Sequence, residues 1–195
     1  MNRVPVLSLW LAASSAILYI ALGPASEYLV YQREAVQAGD LGRLVTAHFS
    51  HSDGEHLAWN LIALIILGGL LERREGVRQL ILYMLAGIIS VNLYIVGPSQ
   101  LMEYCGLSGI LNTLLAGVLA SYYRVPVLRK LVSVTAAAAV LKIIIEVSGN
   151  HALLTQTAWP SVPHAHLWGF AGGLILAAYL RRYGRSKPDG VNTPA

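Results

Sequence analysis

The chain has 195 residues, of which 55% are hydrophobic and only 12% are charged, whereas soluble domains carry about 25% charged residues. The charges cluster and leave nearly uncharged stretches of about 20 residues, the length that crosses a bilayer. This composition excludes an ordinary soluble domain and predicts an all-α polytopic membrane protein. Cys105 is the only cysteine, which excludes an intramolecular disulfide and a thiolate metal cluster.

Six apolar segments follow one another along the chain. The first, at 5–22, is interpreted as a retained transmembrane helix, and a signal peptide cleaved near Ala25 is the alternative. The polar loop at 23–55 is long for a bare connection, so we expect it to have structure of its own. Residues 1–185 are predicted to form one membrane domain, and the polar tail at 186–195 is predicted to be a disordered cytoplasmic segment. The remaining helices are predicted at 56–71, 79–96, 106–122, 131–147 and 165–180.

The basic residues fall almost entirely on one side of this six-helix arrangement. The other side holds only Arg33 and Arg43, and Lys142 lies within the fifth helix. The positive-inside rule then places both termini in the cytoplasm. The net charge of +4 is therefore a topology signal, and no nucleic-acid partner is expected.

Unusual polar residues stand at the outer starts of the second, fourth and sixth helices. They are His56 with Asn60, Ser108, and His166. Ionisable groups in membrane spans are energetically costly and usually functional. The Gly-Leu-Ser-Gly sequence at 106–109 is, by itself, explained equally well by close helix packing. Polar residues at the starts of three helices, all at one depth on the outer side of the membrane, instead predict a shared site.

The chemistry that these residues allow is acyl transfer. A serine hydroxyl needs a base, so Ser108 is predicted to be the nucleophile and His166 the base. Gly169 and Gly173 form a GxxxG face on which the sixth helix can pack closely. No Asp or Glu neighbours His166 in the sequence, so a Ser–His dyad is predicted. His164 is the rival base, although residues i and i+2 do not share a helix face.

A tetrahedral intermediate also needs hydrogen-bond donors for its oxyanion. His56 and Asn60 are four residues apart, so they lie on one helix face and can both donate. The N-terminal amides of the fourth helix, including that of Ser108, add further donors.

Three motifs resemble the rhomboid family of intramembrane serine proteases. They are His51-xxxx-His56-xxx-Asn60, Gly106-Leu107-Ser108-Gly109, and Ala165-His166-xx-Gly169-xxx-Gly173. The resemblance implies a six-transmembrane-helix rhomboid-like bundle with a catalytic serine and histidine, an oxyanion site and no cofactor or metal. In that scheme the supporting positions, which pack or orient the others, are His51, Gly106, Gly109, Gly169 and Gly173. Arg43 and Thr46 also match the family's polar segment ahead of the second helix.

Two positions depart from the family pattern. Gly42 stands where many members have tryptophan, and Asn112 stands where many have an aromatic residue after the serine. Lys142, Glu146 and the run at 163–169 resemble the bacterial rhombosortase subgroup. That resemblance implies the bacterial inner membrane and cleavage on the periplasmic side. The implied partners are membrane lipid and transmembrane or tail-anchored proteins with a C-terminal Gly-Gly, hydrophobic and basic tail.

Other readings remain open from the sequence alone. A non-catalytic rhomboid-like protein that binds transmembrane clients would be expected to lack Ser108 or His166, and both are present. A metal or haem site would have to use histidines without carboxylate or thiolate companions or HExxH spacing. The histidines concerned are His48, His51, His56 and His166. His48 alone is expected to be an interfacial or loop residue. Lys142 and Glu146 are expected to pair at i, i+4, and the alternative is that Glu146 contacts substrate or another site residue.

Overall fold

The computed structural model describes residues 4–153 and 157–183, and within them the protein is built from six long helical segments. The all-α prediction is confirmed, while the predicted tail at 186–195 lies outside the described residues. The continuous helix Gly54–Glu75 comprises α4 (Gly54–Ala63), a π-helical segment (Leu64–Gly68) and α5 (Gly69–Glu75). The other long helices are α1 (Val6–Leu22), α6 (Val77–Val96), α7 (Ser108–Tyr122), α8 (Arg129–Gly149) and α9 (Pro163–Tyr183).

Three of the described helices are both long and apolar enough to cross a membrane. They are Gly54–Glu75, Val77–Val96 and Pro126–Gly149. α1 and α7 are apolar but have only 17 and 15 residues. At 1.5 Å per residue, α7 is about 22 Å long. These helices indicate a membrane protein, and the count of six crossings remains a prediction.

The polar loop after α1 has structure of its own, as its length predicts. β1 pairs antiparallel with β2, with Tyr31 opposite Tyr104. Arg43 holds the loop together because its guanidinium donates to the Asp40 carboxylate and to the Val30 carbonyl. The pairing of β1 with β2 holds in place the chain that immediately precedes α7. The short elements are β1 (Tyr31–Gln32), α2 (Arg33–Gln37), α3 (Arg43–Thr46), a 3-10 helix (Ala47–Phe49) and β2 (Glu103–Tyr104).

α7 lies at the centre of the helices and is buried on most of its faces. It packs most closely on α9, where a Cβ atom at Gly169 would overlap the carbonyl oxygen of Gly109. The Thr113 hydroxyl donates to the Gly169 carbonyl oxygen at 2.8 Å. The backbones of α7 and α9 therefore touch near their N-terminal ends, which carry Ser108 and His166.

A buried carboxylate joins the start of α1 to α5. Glu72 is 5% exposed and accepts hydrogen bonds from the amides of Leu7 and Ser8 and from the Ser8 hydroxyl, at 2.7–2.9 Å. The first amides of a helix have no partner within the helix, and a negative charge there is favourable. Glu72 thus supplies the missing acceptors for α1 from another helix.

Candidate active site

A cavity of about 890 Å³ lies among the starts of α4, α7 and α9. Its wall includes His56, Asn60, Ser108 and His166. The structure therefore brings together, from three separate helices, the four residues that the sequence singled out for chemistry. The end of α8 contributes Lys142 and Glu146 to the same wall, so a fourth helix also takes part.

Ser108 is the first residue of α7 and follows a tight turn at Gly106. Gly106 has a φ of +114°, and its amide donates to the Ala47 carbonyl at 2.9 Å. The Tyr104 hydroxyl donates to the Gly106 carbonyl at 3.1 Å. Between Ser108 Oγ and His166 the described residues show no hydrogen bond, although both side chains line the cavity. Such contacts are often long without substrate and shorten when it binds.

Two side-chain donors converge beside Gly106, two residues before the serine. A Cβ atom at Gly106 would lie 2.5 Å from His56 Nε2 and 3.6 Å from Asn60 Nδ2. Asn60 is 5% exposed, and its Nδ2 has no hydrogen-bond partner among the described residues. Buried polar groups are nearly always paired, so this amide is free to donate to a group bound in the cavity.

The proton on His56 is placed by the backbone before α4. Asp53 caps the helix by accepting from the His56 amide at 2.8 Å. The Ser52 amide donates to His56 Nδ1 at 3.4 Å, and the Ser52 hydroxyl lies 3.0 Å from the same atom. A backbone amide can only donate, so Nδ1 accepts and the proton lies on Nε2, near Gly106.

Asp53 also connects α4 to the loop that precedes α9, because its carboxylate accepts from the Ala158 amide at 2.7 Å. Burial acts to raise the pKa of Asp53, but hydrogen bonds from His56, Ala158 and Ser52 outweigh it and hold the pKa below its ordinary value. The carboxylate is therefore ionised at neutral pH and bonds both sides of the cavity.

The prediction that His166 has no acidic partner is wrong. Its Nδ1 lies 3.1 Å from Oε2 of Glu146, which is 1% exposed. The other oxygen of Glu146 accepts from Lys142 Nζ at 2.6 Å and from the Leu153 amide at 3.1 Å. The expected Lys142–Glu146 pair is confirmed, and Glu146 also contacts a site residue, as the alternative proposed. The sequence signal for this contact is a glutamate near the end of an apolar helix, because the following helix, which carries His166, runs antiparallel to it.

The remaining histidines have different surroundings. His51 is 1% exposed and packs edge-on against His56, with ring centroids 5.1 Å apart. Burial, reinforced by His56, lowers the pKa of His51 to about 3. The His164 ring stacks on Tyr94 at 5.6 Å, whereas His166 contacts Glu146. This geometry favours His166 over its rival as the base.

His48 lies in the segment between α1 and α4, as expected of a loop residue, but it is buried. It is fully buried in the 3-10 helix and meets the ring of Tyr104 edge-on at 5.6 Å. Burial lowers the pKa of His48 to about 4, although Asn92 and Gly106 lie close and act in the opposite direction. Neither neighbour has hydrogen-bond geometry to the ring. His48 therefore serves as a neutral packing residue under β2.

Asn112 and Cys105 lie within one helical turn of Ser108 along the chain, on either side of it. Asn112 lines the cavity one turn along α7, and its Nδ2 donates to the Ser108 carbonyl at 2.9 Å. Cys105 is a free, buried thiol whose pKa burial raises to about 12. A thiol held protonated in this way is a poor nucleophile, which leaves Ser108 as the candidate.

Comparison with known proteins places these residues in a family context. Residues 38–183 match the family model described as Rhomboid domain, and this range covers most of the chain and every candidate site residue. No curated protein matches the sequence significantly. The central helix that begins with a serine, the histidine on the neighbouring helix and the family match agree with one another. The chain belongs to the rhomboid family.

Proposed function

We propose that this protein is an intramembrane serine endopeptidase in which Ser108 is the nucleophile and His166 the general base. The observation that carries the proposal is the pair of donors, His56 Nε2 and the unpaired Asn60 Nδ2, beside the turn that leads into Ser108. Membership of the rhomboid family supports it, because that family consists generally of intramembrane serine proteases.

In the proposed reaction, Ser108 Oγ attacks the carbonyl carbon of the scissile peptide bond and its proton passes to His166 Nε2. The oxyanion accepts hydrogen bonds from Asn60 Nδ2, His56 Nε2 and the Ser108 amide. His166 then gives the proton to the leaving amine, and water hydrolyses the acyl-enzyme with the same base. A positioned base contributes about 10²–10⁴-fold, and one oxyanion donor about 10²–10³-fold in kcat.

For the membrane arrangement we propose six crossings, with both termini cytoplasmic and the cavity opening on the opposite, periplasmic side of a bacterial inner membrane. The concentration of Lys and Arg on one side of the six-helix arrangement supports this orientation. The substrates are proposed to be transmembrane or tail-anchored proteins with rhombosortase-type C-terminal tails. The resemblance of the Lys142–Glu146 pair and the run at 163–169 to that subgroup supports this substrate class.

A second candidate is a rhomboid-like protein that binds transmembrane clients without cutting them. The same cavity and family would serve such a protein. Ser108 and His166 both line the cavity, and the unpaired Asn60 donor lies beside the turn that leads into Ser108, where an oxyanion would form. Catalysis is therefore the better explanation of the site.

The test uses purified protein in liposomes with a substrate that ends in a Gly-Gly, hydrophobic and basic tail. Mass spectrometry of the fragments is expected to show cleavage by the wild type and none by Ser108→Ala or His166→Ala. Both variants should keep the wild-type melting temperature. Ser133→Ala, an exposed serine on α8, and His151→Ala, an exposed loop histidine, are the matched controls and should cleave normally. Cleavage by Ser108→Ala would refute the proposal.

A further inference from the structure

The buried carboxylate of Glu146 faces the Nδ1 atom of His166, with Oε2 at 3.1 Å from that nitrogen. Resting on the proposed function, we propose that Glu146 is a positioning residue that completes a Ser108–His166–Glu146 triad. Lys142 holds it in its charged form. The carboxylate comes from the end of α8, and the imidazole comes from the start of α9.

The hydrogen bonds define the proton positions around Glu146. The Lys142 ammonium and the Leu153 amide are donors, and both point at Oε1. Oε2 is left for His166 Nδ1 at 3.1 Å. An ionised carboxylate can only accept, so Nδ1 must carry the proton of the neutral imidazole. Nε2 is then unprotonated and able to accept the proton of Ser108, as a general base must.

The charge arrangement also suits the next state of the reaction. A carboxylate that is 1% exposed within a membrane protein is tolerable only when it is paired and hydrogen-bonded. Lys142, 36% exposed, supplies a full charge to one oxygen. When His166 takes up the serine proton, the second oxygen of Glu146 faces the new positive charge across the existing contact. The carboxylate therefore stabilises the imidazolium that forms during catalysis.

A purely structural role for Glu146 makes different predictions, because the residue also joins the end of α8 to α9. Removing it would then loosen the protein without changing the chemistry of His166. Glu146→Gln alone would confuse the two roles, since its amide would face the Lys142 ammonium. The informative comparison is therefore Lys142→Met against Lys142→Met with Glu146→Gln, in which the clash with the Lys142 ammonium is absent.

The measurements are kcat, KM and the pH–rate profile with the tailed substrate in liposomes, together with thermal melting. Relative to Lys142→Met, the double variant is expected to lose about 10²–10⁴-fold in kcat with KM nearly unchanged. The acidic limb of its pH–rate profile should move to lower pH, because the imidazolium loses its counter-charge. Among the described residues, the charged or titratable groups facing His166 are Glu146 with its partner Lys142 on α8 and His56 on α4, so His56 is left unsubstituted in every variant.

Glu146→Asp is the second variant, which keeps the charge with a shorter reach. It should retain the wild-type pH profile and a kcat between those of the wild type and the double variant. The inference is overturned if the double variant has the kcat and pH profile of Lys142→Met. It is also overturned if both Glu146 variants lose activity only in proportion to lost folded protein. Ser108→Ala in the same assay separates the two proposals, because its inactivity upholds the protease even when the triad fails.

Discussion

Asn60→Ala should slow catalysis strongly without destabilising the protein. In the substrate-free protein Asn60 Nδ2 is buried without a partner among the described residues, so the fold gains no hydrogen bond from it. In the proposed transition state the same atom donates to the oxyanion. The substitution therefore removes an interaction that exists only during the reaction.

The expected magnitudes follow from these two states. Loss of one oxyanion donor reduces kcat by about 10²–10³-fold, which is about 2.7–4 kcal/mol. A buried, unpaired polar group destabilises a protein by about 1–3 kcal/mol, and alanine removes that penalty. Asn60 lines an existing cavity, so truncation enlarges a space that is already present and creates no new void. The free energy of unfolding should stay the same or rise by about 1 kcal/mol.

The assay is kcat for the tailed substrate together with thermal unfolding in detergent. Asn92→Ala is the matched control, because its amide donates to the Leu44 carbonyl at 2.7 Å and does not line the active-site cavity. It should lose about 1 kcal/mol of stability and keep its kcat. Wild-type kcat in Asn60→Ala would refute the reasoning, as would a stability loss equal to that of Asn92→Ala.

Three further substitutions test other parts of the structure. Gly169→Ala should destabilise the protein by about 1–3 kcal/mol in thermal unfolding, because the added Cβ meets the Gly109 carbonyl. Gly69→Ala is the control, because its added Cβ makes only ordinary contacts at 3.5 Å and should leave stability unchanged. Glu72→Ala leaves the first amides of α1 without acceptors and should lose about 2–4 kcal/mol in chemical unfolding; a loss below 0.5 kcal/mol, the value for most surface changes, would contradict this account. His48 should make stability fall by about 3 kcal/mol as pH drops from 6.5 to about 4, because only the unfolded chain binds the proton there. The contribution of His48 should level off below that pH, and His48→Gln should lessen the fall between pH 6.5 and 4; an unaltered pH dependence in that variant would show that His48 is not its source.

The meeting of Ser108, His166, His56 and Asn60 could be predicted because alternate helices of an up-and-down bundle begin on the same side. Each residue stands in the first two turns of its helix, so the helix order alone placed the four at one depth. Their separation within that plane depends on packing, and the sequence carries only indirect signs of packing such as the glycines of α9.

Glu146 is not adjacent to His166 in the sequence, so sequence proximity does not reveal the acidic partner. Consecutive helices in a bundle run antiparallel, so the end of α8 lies next to the start of α9. The helix order, and not the local sequence, therefore indicates a glutamate beside His166. The burial of His48 could not be foreseen in the same way. It depends on the pairing of β1 and β2, two strands of two residues each, and strands that short carry no periodic pattern.

In the proposed protease, the length of α7 sets the depth of Ser108 in the membrane. A helix of about 22 Å is about 8 Å shorter than a hydrocarbon core of about 30 Å. If its C-terminal end lies level with the cytoplasmic boundary, its first residue, Ser108, lies below the opposite surface of the membrane. In the proposed reaction, only a peptide bond that can reach that depth in extended form meets the serine. The length of the central helix and the thickness of the bilayer would then both determine which substrates the proposed protease can cleave.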